Sequence, residues 1–146
     1  MRAFDHDYVN ELVARMGKLR PDAKPAWGAM SAPEMQGHLV MTLRYSMGNG
    51  PKLPVAGNWA ARWLMAPLIL NGILPIPKNV KLPRPDGPRP QADLETLHTV
   101  LEEYLSRVQT GDLEPPPHPI FGDIGVDGWA KMHVRHFEHH LKQFGV

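Results

Sequence analysis

At 146 residues the chain has the size of one domain able to bury a core without disulfides, and the absence of cysteine removes thiolate ligands and a cysteine nucleophile. Lys and Arg number 16 against 15 Asp and Glu, for a formal net charge of +1, so the basic footprint that nucleic acid selects is missing. The start, Met1-Arg-Ala-Phe-Asp-His-Asp7, lacks the pattern of a secretory signal, and the apolar stretch from Trp59 to Pro77 is broken by Arg62, Pro67, Asn71 and Gly72; a cytoplasmic protein without a membrane partner is expected.

Five helical segments are predicted in chain order. Phe4, Tyr8, Leu12, Val13, Met16 and Leu19 recur at three-and-four spacing, which predicts a first helix over residues 5–20 with Asp5 as its N-cap. Ser31-x-x-Glu34 reads as a capping box with Pro33 in the first turn, opening a second helix from about Ala32 to Met47 that Gly48-Asn-Gly50-Pro51 stops. A third, apolar helix runs from Asn58 to about Gly72 and is expected to be buried or partly buried and bent at Pro67. Prolines between Leu74 and Pro90 forbid a helix or a central strand, so that stretch is expected to wrap as an extended surface arm. Leu94, Leu97, Val100, Leu101, Tyr104, Leu105 and Val108 set a fourth helix ending near Gly111. After the rigid Glu114-Pro-Pro-Pro-His-Pro119, Asp127 is the expected N-cap of a last helix. No run alternates long enough for a sheet, so the fold class is all-α, an antiparallel helix bundle with an extra helical segment and proline-rich connections, in a single domain over 1–146.

Histidine is concentrated in that last helix. His133, His136, His139 and His140 are half of the eight in the chain. At about 100° per residue, His140 lies about 40° from His136 and His133 about 60° on its other side, so three imidazoles and Trp129 can share one inward stripe. Burying several neutral imidazoles is costly unless each nitrogen finds a partner, and one divalent cation is a partner they can share. An HxxxH pair makes half of a metal site; His38, on the side of helix two that carries Met35 and Leu39, is the best placed third ligand. The plainer reading is a weakly basic, solvated helix end and a hydrogen-bonded core histidine at position 38. His139 and His133 are candidates for roles beside the ligands, His118 for turn chemistry or a pocket wall, His98 for the edge of the core, and His6 for solvent. Trp27, Trp59, Trp63 and Trp129 are expected in the core, with Trp27 or Trp63 as a possible ligand wall, and Glu34 is a cap before it is a base. There is no phosphate loop, nucleophile elbow or HExxH sequence.

Three stretches in order, Trp27-Gly-x-Met-Ser-x-x-Glu-Met35-x-x-His38-Leu, His118-Pro-x-Phe-Gly122, and Trp129 through His136-x-x-His139-His140-Leu-x-Gln-Phe-Gly145, resemble a bacterial domain family of unknown function within the DinB-like superfamily, which includes metal-dependent thiol S-transferases. The resemblance implies a four-helix bundle of DinB type, often a homodimer, in which His38, His136 and His140 bind a divalent metal, zinc or nickel. It implies a small-molecule substrate, with a low-molecular-weight thiol as one candidate. Three neutral nitrogens leave coordination positions free, which suits thiol transfer or hydrolysis. The rival reading is a non-catalytic, metal-stabilised bundle that binds a ligand or partner, and a third is a plain helical dimer without metal.

Overall fold

The computed structural model of the chain describes residues 2–80 and 86–146; the central part of the proline-rich arm, 81–85, lies outside the described residues. Within them the secondary structure is all-helical, with five α-helices and no strand, apart from an isolated bridge between His118 and Gly122. Helix α1 (His6–Met16) starts where the Asp5 carboxylate accepts the Tyr8 N–H at 2.9 Å. It ends four residues before the expected Arg20 because Gly17, a weak helix former, caps it, and Lys18 and Leu19 donate instead to the nearer carbonyls of Arg15 and Met16. Helix α2 (Ala32–Ser46) carries the expected capping box: the Ser31 hydroxyl accepts from the Glu34 N–H, and the Glu34 carboxylate accepts from the Ser31 N–H.

The third helical segment is split. A π-helical turn over Ala61–Met65 leads into the short α3 (Ala66–Leu70), with the Asn58 amide oxygen accepting from the Ala61 N–H. Pro67 has no N–H for the ladder and its ring would meet the carbonyl one turn back; the wider turn, in which the Ala66 N–H reaches the Ala61 carbonyl, relieves that conflict. Helix α4 (Leu94–Thr110) is capped by Asp93 and stopped by Gly111 at φ 74°, a left-handed position that suits glycine. Helix α5 (Gly125–Phe144) begins earlier than expected. Asp127 is not its N-cap but sits in the first turn, because the preceding turn is closed by the Asp123 carboxylate accepting from the Gly125 N–H at 3.2 Å.

Each long helix packs on two others in the cyclic order α1, α4, α2, α5. Their shared core includes Leu12, Met35, Leu39, Leu101, Phe137 and Leu141, all but inaccessible to solvent. Each such leucine stabilises the fold by roughly 1.5–3 kcal/mol through burial alone. A second apolar cluster joins Ala66, Ile69 and Leu70 of α3 to Phe121, Trp129 and Met132. The chain before α4 crosses α2 closely enough that a Cβ on Gly37 would lie 2.3 Å from the Pro90 carbonyl oxygen, and the Ala92 N–H bonds to the Pro33 carbonyl beside it.

The tryptophans depart from the expected core. Of the four tryptophans only Trp129 is fully buried; its indole N–H donates to the Pro116 carbonyl at 2.8 Å. Trp59 and Trp63 are 68% and 73% exposed, because the inward face of the segment is taken by Ala66, Ile69 and Leu70 and no described element covers the other side.

Candidate metal centre

Helix α5 is held in place from both sides. Arg15 of α1 donates to the Glu138 carboxylate at 3.0 Å and to the Val146 carbonyl at 2.9 Å, while the backbone N–H of Ala26 donates to the Gln143 carbonyl at 2.8 Å. With α5 thus fixed against α2, the 3.6-residue period stacks His136 and His140 on the face toward His38. The Nε2 atoms of His38 and His140 lie 2.9 Å and 3.1 Å from Nε2 of His136. One ligand nitrogen from each ring lies within 4.8 Å of the others, so the three histidines are close enough to hold one metal ion. Two nitrogens each about 2.0–2.1 Å from a common ion are about 3.0 Å apart at a right angle and about 3.3 Å apart at the tetrahedral angle, so the observed separations are near those a shared cation requires.

The proton positions also suit a cation. A backbone carbonyl can only accept, so the 2.7 Å contact between Gln143 Nε2 and the Trp27 carbonyl fixes which way the Gln143 amide points. Its oxygen then faces His140 Nδ1 at 2.7 Å and must accept a proton from it. His140 is therefore protonated on Nδ1 and presents a bare Nε2 to the cluster. Only hydrogens on His38 and His136 remain to mediate two nitrogen–nitrogen contacts, and Nδ1 of His136 is buried with no protein partner among the described residues. One cation satisfies all three inward lone pairs at once.

Electrostatics point the same way. Burial first, then the charge of neighbouring His139, pushes His38 down to about 4; burial and the nearby His38 push His140 to about 3, against the opposing bond to Gln143; burial and its two partners hold His136 well below its ordinary value. All three rings are neutral at pH 7, so a metal would not have to displace protons from them.

The other histidines are placed elsewhere. His133 does not turn toward the trio. The Ser46 hydroxyl spends its only hydrogen on the Leu43 carbonyl, so it accepts from His133 Nε2 at 2.8 Å, and the ring sits among Phe4, Tyr104, Trp129 and Phe137. His118 performs turn chemistry: its Nδ1 accepts the N–H groups of Ile120 and Phe121, and its ring stacks on Phe121. His139 is half-buried at the edge of the trio, 5.3 Å from the His140 ring and 5.5 Å from the Trp27 ring, over which the Lys78 ammonium also lies, 4.2 Å from the ring centre. His98 pairs with Glu102 at the core edge, His6 is exposed, and Glu34 is occupied by its cap and by Arg89. Gln143 is the residue of the candidate site that the sequence did not single out. Its position three after His140 and seven after His136 was the available signal, but its partner Trp27 is 116 residues away.

The family described as "Protein of unknown function (DUF1569)" matches residues 1–145. The chain belongs to DUF1569. No curated protein and no solved structure matches it. In this DUF1569 chain the three histidines and Gln143 come from two helices far apart in sequence, and no helix among the described residues is long and apolar enough to cross a membrane.

Proposed function

We propose that His38, His136 and His140 hold a divalent metal ion, zinc or nickel, and that the chain is a metal-dependent enzyme of DinB type that transfers a small thiol to, or hydrolyses, a small organic substrate. The observation that carries the metal reading is the chain of contacts from the Trp27 carbonyl through Gln143 to His140, which presents a bare nitrogen to two neighbouring imidazoles. The DinB type rests on the resemblance of the three sequence stretches around His38, His118 and His136/His140, and the cyclic order of the four long helices suits it. A divalent ion in this setting supplies Lewis acidity that eases loss of a proton from a thiol or water at neutral pH. The residues do the rest: three neutral donors leave ligand positions free, Gln143 sets the His140 tautomer, and Trp27 and His139 form one wall beside the trio.

Elemental analysis of untagged, desalted protein, paired with a thiol-transfer and hydrolysis screen, tests this reading. One equivalent of metal and turnover that both fall in His140→Ala are expected; full metal and full activity in that variant refute it. A non-catalytic, metal-stabilised bundle is the second reading, favoured by the lack of a carboxylate beside the trio among the described residues and identified by metal binding without turnover. The homodimer that the DinB resemblance implies, and the cytoplasmic setting expected from the cysteine-free sequence, belong to the same proposal, with sedimentation as the test of the first.

A further inference from the structure

The segment around α3 is apolar on both sides. Ala66, Ile69 and Leu70 face the core, yet Trp59, Trp63 and Leu64 face outward at 68%, 73% and 54% exposure, and Ile73 just beyond the helix is 68% exposed. Large apolar side chains clustered on an exposed face are ordinarily covered, so this outward face, broken within 59–70 only by Arg62, calls for an apolar neighbour.

The charges around it say what kind. Residues 35–92, the stretch of chain that carries the patch, contain seven Lys and Arg and a single acid, Asp86, a net of +6, with Arg89 alone among the described residues paired to an acid just outside it, Glu34. Beside the patch, Arg62 donates to the Gly57 carbonyl, Lys131 to the Asn71 amide oxygen and Arg135 to the Leu74 carbonyl. All three cations are thus bonded to neutral oxygens. Of the acids near them along the chain, Glu138 is paired with Arg15, and neither Asp123 nor Asp127 makes an ion pair with them among the described residues. A two-fold contact with a second copy would press two faces of the same positive charge together, a like-charge arrangement that disfavours it.

We propose that this face docks on an anionic lipid surface, with Trp59, Trp63, Leu64 and Ile73 entering the interfacial layer and Arg62, Lys131 and Arg135 meeting the headgroups. Exposed indoles ringed by uncompensated cations match the interfacial region of a bilayer, where apolar burial and attraction to anionic lipid add together. The segment lies on the membrane and does not span it. The proposal is independent of the metal reading, since none of these residues belongs to the histidine cluster.

The test is co-sedimentation of the full chain with vesicles of phosphatidylcholine alone and of an equal mixture of phosphatidylcholine and phosphatidylserine. Binding is expected to the mixed vesicles, to weaken as salt rises, and to be absent from the neutral ones. The double variant Trp59→Ser/Trp63→Ser should lose binding while keeping the wild-type melting curve, because both side chains are exposed. Each positive charge near the surface is worth roughly a fivefold change in partitioning, so Arg62→Glu should weaken binding on the order of 25-fold. No binding to mixed vesicles, or equal binding by the tryptophan double variant, overturns the proposal. So does a concentration-dependent dimer abolished by the same double substitution, which would assign the patch to a second copy.

Discussion

Gln143 offers the most discriminating perturbation. In Gln143→Leu the side chain loses both contacts, the acceptor for His140 Nδ1 at 2.7 Å and the donor to the Trp27 carbonyl at 2.7 Å. His140 is then free to move its proton to Nε2, the atom that faces the trio. Losing an outer partner of a ligating histidine typically weakens metal affinity about 10–100-fold, or about 1.4–2.7 kcal/mol. The buried His140 N–H, left without an acceptor, should separately lower the stability of the metal-free protein by about 1–3 kcal/mol. Gln143→Glu separates the two effects. Its carboxylate still accepts from His140, so affinity should stay near wild type or rise, while an acceptor facing the Trp27 carbonyl should still reduce metal-free stability. The assay is a competition titration of zinc or nickel against a coloured chelator, alongside urea unfolding without metal. If Gln143→Leu binds metal with wild-type affinity although its unfolding midpoint falls, Gln143 is a structural staple only and the tautomer argument is refuted.

Three further outcomes are expected. His38→Ala and His136→Ala should each lower bound metal well below one equivalent, and a chelator should lower the melting temperature of the wild type but not of either variant; an unmoved wild-type curve counts against the site. Gly37→Ala should destabilise the fold by about 1–3 kcal/mol in urea unfolding, because the new methyl would lie 2.3 Å from the Pro90 carbonyl oxygen on a crossing backbone; a neutral result would mean that the crossing segment shifts freely. Burial pushes His133 to about 3, with the nearby His118 adding to the shift, and pushes His118 itself to about 4. Both folded values are depressed, so the unfolded chain takes up protons first: the associated stability is complete above the ordinary value of 6.5 and is lost as pH falls toward 4 and 3, by up to about 1.4 kcal/mol per pH unit for each ring. Urea midpoints should therefore fall between pH 6.5 and 4 in metal-free protein; a flat profile would contradict neutral burial of these rings.

Much of the helical plan was legible because its causes are local. Asp5, the Ser31/Glu34 box and Gly111 act on residues within one turn, and the apolar stripes of α1, α2 and α4 recur at the helix period. The boundaries that shifted were those where weaker local preferences competed: Gly17 ending α1, Pro67 widening the turn before α3, and Asp123 starting α5 ahead of Asp127.

His136 and His140 share a face by spacing alone, since any helix through them puts them there. Whether the ring of His38 meets them depends on how α2 and α5 slide and rotate against each other, which is settled by long-range packing and by Arg15 and Ala26 fastening α5. The same rotation carries His133 away from the trio to Ser46, although its place on the helix wheel allowed either outcome. Gln143 acquired its role from a carbonyl 116 residues away, and Trp59 and Trp63 were left outside because Trp129 and its neighbours had already filled the layer beneath α3. Periodicity assigns a residue to a side of its own helix; which neighbour that side meets, and at what depth, is decided only when the whole chain competes for one interior.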